Sequence, residues 1–189
     1  MKPIKKKAAA SDFLLDVHTE PLPARFVAPA LEQLKAGACE WLEGKVEHGA
    51  IAVAGTLRHL ILTVKEVSAK GHDKTERFKG PKEQAWRLPD GKFTPAAEGF
   101  ARKCAIAAGD LKPEGGILYA EDHSKGEAAL VLLQSMIPDL LKSLQFPKSM
   151  AWEETGFKFG RPIRAITALL GEKVVPVELA GVKSGRAAY

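Results

Sequence analysis

Four arginines sit where the backbone has little freedom. Arg25 follows Pro23 by two residues, Arg161 precedes Pro162, Arg164 follows it, and Arg58 opens an apolar run. A guanidinium on a fixed backbone suits phosphate, which it grips through two parallel N–H bonds. Lys79, Lys148 and Lys183 add point charges, and each phosphate so neutralised makes affinity more salt-sensitive. The same arginines are equally suited to stapling loops to the fold. Arg25 has Glu20 across a turn, and Arg161 and Arg164 have Glu153 or Glu154 within sequence reach. Trp86, Trp152, Phe93 and Phe100 offer ring faces on which bases stack, although core packing is the commoner use of such rings.

Other chemistries find no footing. The five histidines (His18, His48, His59, His72 and His123) are scattered, with no pair at i, i+4 and no H-E-x-x-H, so no metal site is expected. There is no G-x-x-x-x-G-K-[ST], no G-x-G-x-x-G and no G-x-S-x-G. Gly115-Gly116 reads as a turn, not a phosphate cradle. Cys39 and Cys104 stand 65 residues apart without a C-x-x-C partner. They read as reduced, buried structural thiols of a cytosolic protein. No catalytic residue is assigned.

The elements that must position these side chains follow from periodicity. Residues 12–18 read as a short buried strand, ended by Thr19-Glu20-Pro21-Leu22-Pro23. A helix starts at Pro23 or Ala24 and shows Phe26 or Val27, Ala30, Leu31, Leu34, Ala38, Trp41 and Leu42 on one face, with Gly44 as its stop. Residues 50–54 and 57–67 read as two strands joined at Gly55-Thr56, with Leu60, Leu62 and Val64 alternating with His59, Ile61, Thr63 and Lys65. Residues 71–84 read as a loop carrying a basic cluster, Lys74, Arg77, Lys79 and Lys82, and Pro89-Asp90-Gly91 as a turn. Thr94-Pro95 begins a helix to about Ala108, closed by Gly109. Residues 116–121 read as a strand. Ser124 and Glu127 form a capping-box pattern before a helix with Leu130, Leu133, Ile137, Leu140, Leu141 and Leu144, which Pro138 should kink or split. Residues 163–170 and 174–179 read as a hairpin across Gly171-Glu172-Lys173, with Pro176 marking an edge.

The order predicts an α+β fold with mixed, mainly antiparallel sheets and packed helices. A flexible basic terminus is expected over residues 1–11, then one α+β region over 12–189, divisible into subdomains at 12–70 and 71–189. With 46% apolar and 27% charged residues, the bulk of the chain is neither disordered, collagenous nor coiled coil. No apolar run approaches the roughly 20 residues of a membrane helix, so no membrane partner is expected. Of a net charge of +5, Lys2, Lys5, Lys6 and Lys7 supply four, and the remainder is nearly neutral. A basic surface must therefore come from folding rather than bulk excess.

A series of Pro- and Arg-punctuated segments runs through the chain in order. It begins with His18-Thr19-Glu20-Pro21-Leu22-Pro23-Ala24-Arg25-Phe26, Thr56-Leu57-Arg58-His59-Leu60 and Lys79-Gly80-Pro81. It continues with Ala96-Ala97-Glu98-Gly99-Phe100-Ala101-Arg102, Phe146-Pro147-Lys148-Ser149-Met150-Ala151-Trp152 and Phe159-Gly160-Arg161-Pro162-Ile163-Arg164. Last come Ala168-Leu169-Leu170-Gly171 and Lys183-Ser184-Gly185-Arg186. Together they resemble the N-terminal region of the beta subunit of bacterial, two-subunit-type glycyl-tRNA synthetase over about residues 12–186. The chain departs from that family at Pro21, Leu57, His59, Ala151 and Ala165, where the family usually has glutamate, proline, arginine, arginine and tryptophan.

The resemblance implies a non-catalytic N-terminal part of a longer chain. That part would support tRNA positioning and subunit assembly in glycyl-tRNA aminoacylation. The resemblance places the catalytic core on a separate alpha subunit, with ATP and magnesium there and no cofactor in this chain. Its implied partners are that alpha subunit, other beta-chain domains and tRNA(Gly), in the cytoplasm. The RNA-binding candidates are Arg25, Arg58, Lys79, Lys148, Arg161, Arg164 and Lys183. Two other readings stand beside this one. The first is a purely structural assembly module without RNA contact. The second is an editing-like hydrolase, disfavoured because glycine is the smallest substrate and size exclusion already rejects larger ones.

Overall fold

The computed structural model describes residues 10–82, 86, 94–104 and 111–187. Two compact units emerge. One comprises the described residues up to His72 together with those from Glu127 onward, and the other is Asp73–Gly126. The partition into 12–70 and 71–189 places no boundary at residue 126, where the chain returns to the first unit.

The first unit is built on a seven-stranded sheet. β1 (Ser11–Thr19) is flanked by β3 (His59–Val67) and β9 (Ile163–Leu170), both antiparallel to it. β2 (Ile51–Gly55) lies beyond β3, and β12 (Val182–Gly185) pairs parallel to β9 with β11 (Glu178–Leu179) outside it. β10 (Lys173–Val174) also pairs with β9. Along β1, buried Phe13, Leu15, Val17 and Thr19 alternate with less buried Asp12, Leu14, Asp16 and His18. The period of two assigns the sets to opposite faces. The buried set meets α1 (Ala24–Leu42) and α3 (Ala129–Ser143) in one core. α1 contributes Phe26, Ala30, Leu34, Ala38 and Leu42, a stripe at helical spacing. β7 (Met150–Ala151) and β8 (Lys158–Phe159) form a small ribbon after α3.

In the second unit, β4 (Lys74–Lys82), β6 (Ile117–Ser124) and β5 (Lys112–Glu114) form an antiparallel sheet in the order β4-β6-β5. α2 (Pro95–Lys103) contributes Ala97 and Ala101 to a core with Leu118, Ala120, Leu111 and Trp86. Gly115 and Gly116 turn β5 into β6 with φ of 57° and 75°. Both angles are left-handed, as the favoured two-residue hairpin turn requires.

The α+β class and mainly antiparallel sheets match the expectation, and several local readings are corrected. Residues 74–82 form a strand rather than a loop. Its polar composition hides a register running from Lys74 opposite Ser124 to Lys82 opposite Ile117, broken only between Lys79 and Lys82 around Gly80-Pro81. The Ser124–Glu127 capping box does not form. Ser124 ends β6, α3 starts at Ala129 without a side-chain cap, and the Glu127 carbonyl accepts the Gly71 N–H at 2.8 Å. Pro138 does not split α3. Burial of Met136, Ile137, Leu140 and Leu141 around it, each contributing about 1.5–3 kcal/mol, outweighs the roughly 3 kcal/mol that an interior proline costs.

The hairpin after β9 is short. β10 pairs only Lys173 and Val174, and the chain leaves β9 before Pro176. α2 ends at Lys103, short of residue 108. Cys39 is exposed rather than buried, because it lies one residue past Ala38, about 100° around α1 from the buried stripe. Ser11 belongs to β1, not to a flexible terminus. The lysines at 2, 5, 6 and 7, the turn at 89–91, Phe93 and Gly109 lie outside the described residues.

Candidate nucleic-acid interface

Three loops meet at one end of β1 in the first unit. The Thr19 N–H donates to the Arg58 carbonyl at 2.8 Å, the Leu22 N–H to the Leu57 carbonyl at 2.6 Å, and the Glu20 N–H to the Pro162 carbonyl at 2.9 Å. Segments 19–22, 56–58 and 160–164 are thereby tied together by main-chain bonds.

A bulge then aims Arg164. On β9, Ala165 stands opposite His18 and Ile163 opposite Thr19, so Arg164 is the extra residue. Bulges of this kind redirect a side chain. The Arg164 Nε and Nη2 each lie 2.7 Å from Glu20 Oε1, while Arg58 Nη1 lies 3.7 Å from Oε2. One carboxylate therefore holds two guanidiniums, and both remain more than half exposed, at 54% for Arg58 and 62% for Arg164. Arg161, in the same loop, donates to the Gly160 carbonyl at 3.0 Å.

Beside this clasp lies a stacked imidazole pair. His18 and His59 stand opposite each other in β1 and β3. Their ring centroids are 4.6 Å apart and the planes differ by 2°. His59 Nδ1 is 3.1 Å from both carboxylate oxygens of Asp16, the geometry of an Nδ1–H donor.

The remaining candidates disperse. Arg25 is exposed in the first turn of α1, its guanidinium 5.5 Å from the Phe26 ring centroid. Lys148 is exposed in the bend after α3 and has no ion pair among the described residues. Lys183 stands on β12, 3.8 Å from Glu178, beside a cleft of about 520 Å³ bounded by Gln134, Pro138, Val177 and Ser184. Lys79 belongs to the second unit. It lies opposite Tyr119 on β6, whose ring carries Arg77 at 4.0 Å. Arg77 also pairs with Glu114 and, at 3.9 Å, with Glu121.

The expected ion pairs are different ones. Glu20 takes Arg58 and Arg164 rather than Arg25. Glu153 accepts from the Thr155 hydroxyl and N–H and from the Phe157 N–H. These bonds, chiefly the hydroxyl's, hold its carboxyl below the usual range. Of the rings read as potential stacking surfaces, Trp86 is buried and Phe100 packs on the second core. Trp152 meets Phe157 edge-on at 5.8 Å. Sequence reasoning missed the clasp carboxylate, the His–His stack and the Arg77–Tyr119 pair. For the stack, a signal was present in the two strand patterns, since His18 and His59 both alternate with core residues.

Among the described residues no three His, Cys, Asp or Glu side chains are placed to hold a metal, and no helix is long and apolar enough to cross a membrane. Comparison with known proteins supplies the family. A profile described as glycyl-tRNA synthetase beta subunit matches residues 13–189.

The chain belongs to the glycyl-tRNA synthetase beta-subunit family.

The glycine–tRNA ligase beta subunit of Desulforamulus reducens is 39% identical over 185 residues, covering 95% of this chain and 27% of its own length. Those of Moorella thermoacetica (35% over 185 residues) and Halothermothrix orenii (37% over 177 residues) cover 95% and 93% of this chain, and 27% and 26% of their own lengths. The chain thus spans about a quarter of the length of the curated relatives it matches, with 27% covered in the first.

Proposed function

We propose that this chain is the non-catalytic N-terminal part of a glycyl-tRNA synthetase beta subunit, and that it supports tRNA positioning and subunit assembly during glycyl-tRNA aminoacylation. Its partners would be the alpha subunit, other beta-chain domains and tRNA(Gly), in the cytoplasm. ATP and magnesium would be handled on the alpha subunit. The observation that carries the RNA part is the Arg58–Glu20–Arg164 clasp, in which two exposed guanidiniums share one carboxylate and keep donors for a phosphate. Arg161 in the same loop adds a third cation. Positioning of this kind contributes by orienting the acceptor end rather than by bond chemistry.

The alternative is a structural assembly module that touches no RNA. It is favoured by the sheet face away from the helices, where Leu14, Ile61 and Leu169 are only half-buried, and by the internal pairing of the arginines with Glu20. The non-catalytic part of the proposal is tested by supplying the isolated chain with ATP, magnesium and glycine. No glycyl-adenylate is expected, and its formation would refute the assignment.

A further inference from the structure

We propose that the His18–His59 stack makes phosphate binding at the neighbouring arginine clasp proton-linked, so that the site takes up a proton as it takes an RNA phosphate. The ligand assignment rests on the RNA-contact reading above. The linkage rests on the geometry.

The charged groups bordering the stack come from the strands and the loops that end them. β1 contributes Asp16, Glu20 follows it, and Arg161 stands in the loop before β9. The residue before His59 is Arg58, and the residue before Ala165, which lies opposite His18, is Arg164. Opposite Asp16 on β9 stands neutral Thr167. On β3 the next titratable side chains are Lys65, whose ammonium lies 2.6 Å from Asp12, and Glu66 at the far end of the strand. β2, beyond β3, reads IAVAG and has no titratable group.

With both imidazoles neutral, Asp16 and Glu20 offset Arg58 and Arg164, and Arg161 is left over in the adjoining loop. A phosphodiester adds one negative charge beside the stack, which favours a proton on it. Asp16 already faces His59 Nδ1 through both oxygens, so an imidazolium there has an immediate counter-charge. A second imidazolium stacked 4.6 Å away would be repelled by the first, which limits uptake to about one proton per anion.

The test uses the 189-residue chain and follows the ring protons of His18 and His59 by NMR from about pH 5 to 8.5. Chloride is compared with sulfate, a tetrahedral anion that does not titrate in this range, at matched ionic strength. His18→Gln and His59→Gln assign the signals. Sulfate should raise the midpoint of one ring by about half a unit, equivalent to roughly threefold tighter anion binding to the protonated form. In parallel, tRNA affinity at fixed salt should rise about threefold from pH 8 to pH 6, and either Gln variant should flatten the rise. Identical midpoints in the two salts overturn the linkage, as does a pH dependence that survives both substitutions. tRNA binding that is real but insensitive to pH leaves the RNA reading standing and removes the linkage. A sulfate-dependent midpoint without tRNA binding at either pH removes the RNA reading and retains a proton-linked anion site.

Discussion

Arg164 and Glu20 are 144 residues apart in the chain and 2.7 Å apart in space. The pairing joins the bulge on β9 to the residue that follows β1, and Arg58 completes it from the loop before β3. Since both guanidiniums are more than half exposed, the ion pairs contribute little stability, about 0–1 kcal/mol each. Their consequence is geometric: they fix where two cations point.

Removing the carboxylate should therefore strengthen RNA binding. Glu20→Gln leaves two uncompensated guanidiniums, and tRNA affinity should rise about two- to fivefold, a change of roughly 1 kcal/mol or less. Filter binding at constant salt measures it, with thermal melting as the folding control. Weaker binding by a folded Glu20→Gln chain would mean that Glu20 itself meets the RNA or that the clasp must be closed.

Gly160 should tolerate no side chain. A Cβ there would lie 2.7 Å from the Phe146 ring and 2.9 Å from Leu22. Phe146 is itself held between Phe159 at 4.7 Å and Phe26 at 6.2 Å. Gly160→Ala is expected to cost about 1–3 kcal/mol by overpacking, read from urea unfolding. A cost near zero would show that the aromatic cluster yields more easily than its packing indicates.

Asp12 should make stability acid-sensitive. Its carboxyl is held below its ordinary value of 3.8 first by the Lys65 ammonium and then by the Glu66 N–H. That N–H belongs to a residue at φ 50°, in the bulge where β3 gains a residue on β1. A depressed folded-state pKa gives stability that is present above 3.8 and lost as pH falls through the lower folded value. Asp12→Asn should thus be less stable than the parent at neutral pH, with the two curves converging in acid below pH 3.8. A stability difference that persists unchanged into strong acid would contradict the assignment.

Excision of the second unit should leave the first folded. The ends of the excised stretch are adjacent within the first unit, where Gly71 N–H meets the Glu127 carbonyl at 2.8 Å and Lys70 bridges Ala128. Replacing residues 73–126 by a short Gly-rich linker should preserve cooperative unfolding, because the described residues of the α1–α3–sheet core all lie outside that stretch. Loss of cooperative unfolding in the excised chain would show that this core needs the inserted residues.

The first unit was largely legible. β1, α1 and the β2–β3 hairpin follow from periods of two and 3.6 that burial on one face imposes. What was not legible depends on partners distant in the chain. β4 is mostly polar, with Phe78 its one large apolar side chain, and is a strand because β6 pairs with it. The Ser124 box failed because β4 claims that residue as a strand partner. Sequence proximity points Arg164 to the carboxylates about ten residues away, whereas a bulge delivers it to Glu20 across the sheet. The 19–23 turn meets the 146–164 segment through the Glu20–Pro162 bond, a contact that no local pattern encodes.

The most direct test of the RNA reading is tRNA(Gly) affinity across a salt series, with residues 1–8 deleted so that Lys2, Lys5, Lys6 and Lys7 cannot supply the signal. If three or four of Arg25, Arg58, Lys148, Arg161 and Arg164 each neutralise a phosphate, log affinity should fall against log salt with a slope of about −2 to −4. Arg164→Ala should flatten the slope by slightly less than one unit while the melting temperature holds. If the deletion abolishes binding and Arg164→Ala changes nothing, the folded surface does not meet RNA and the chain is an assembly module.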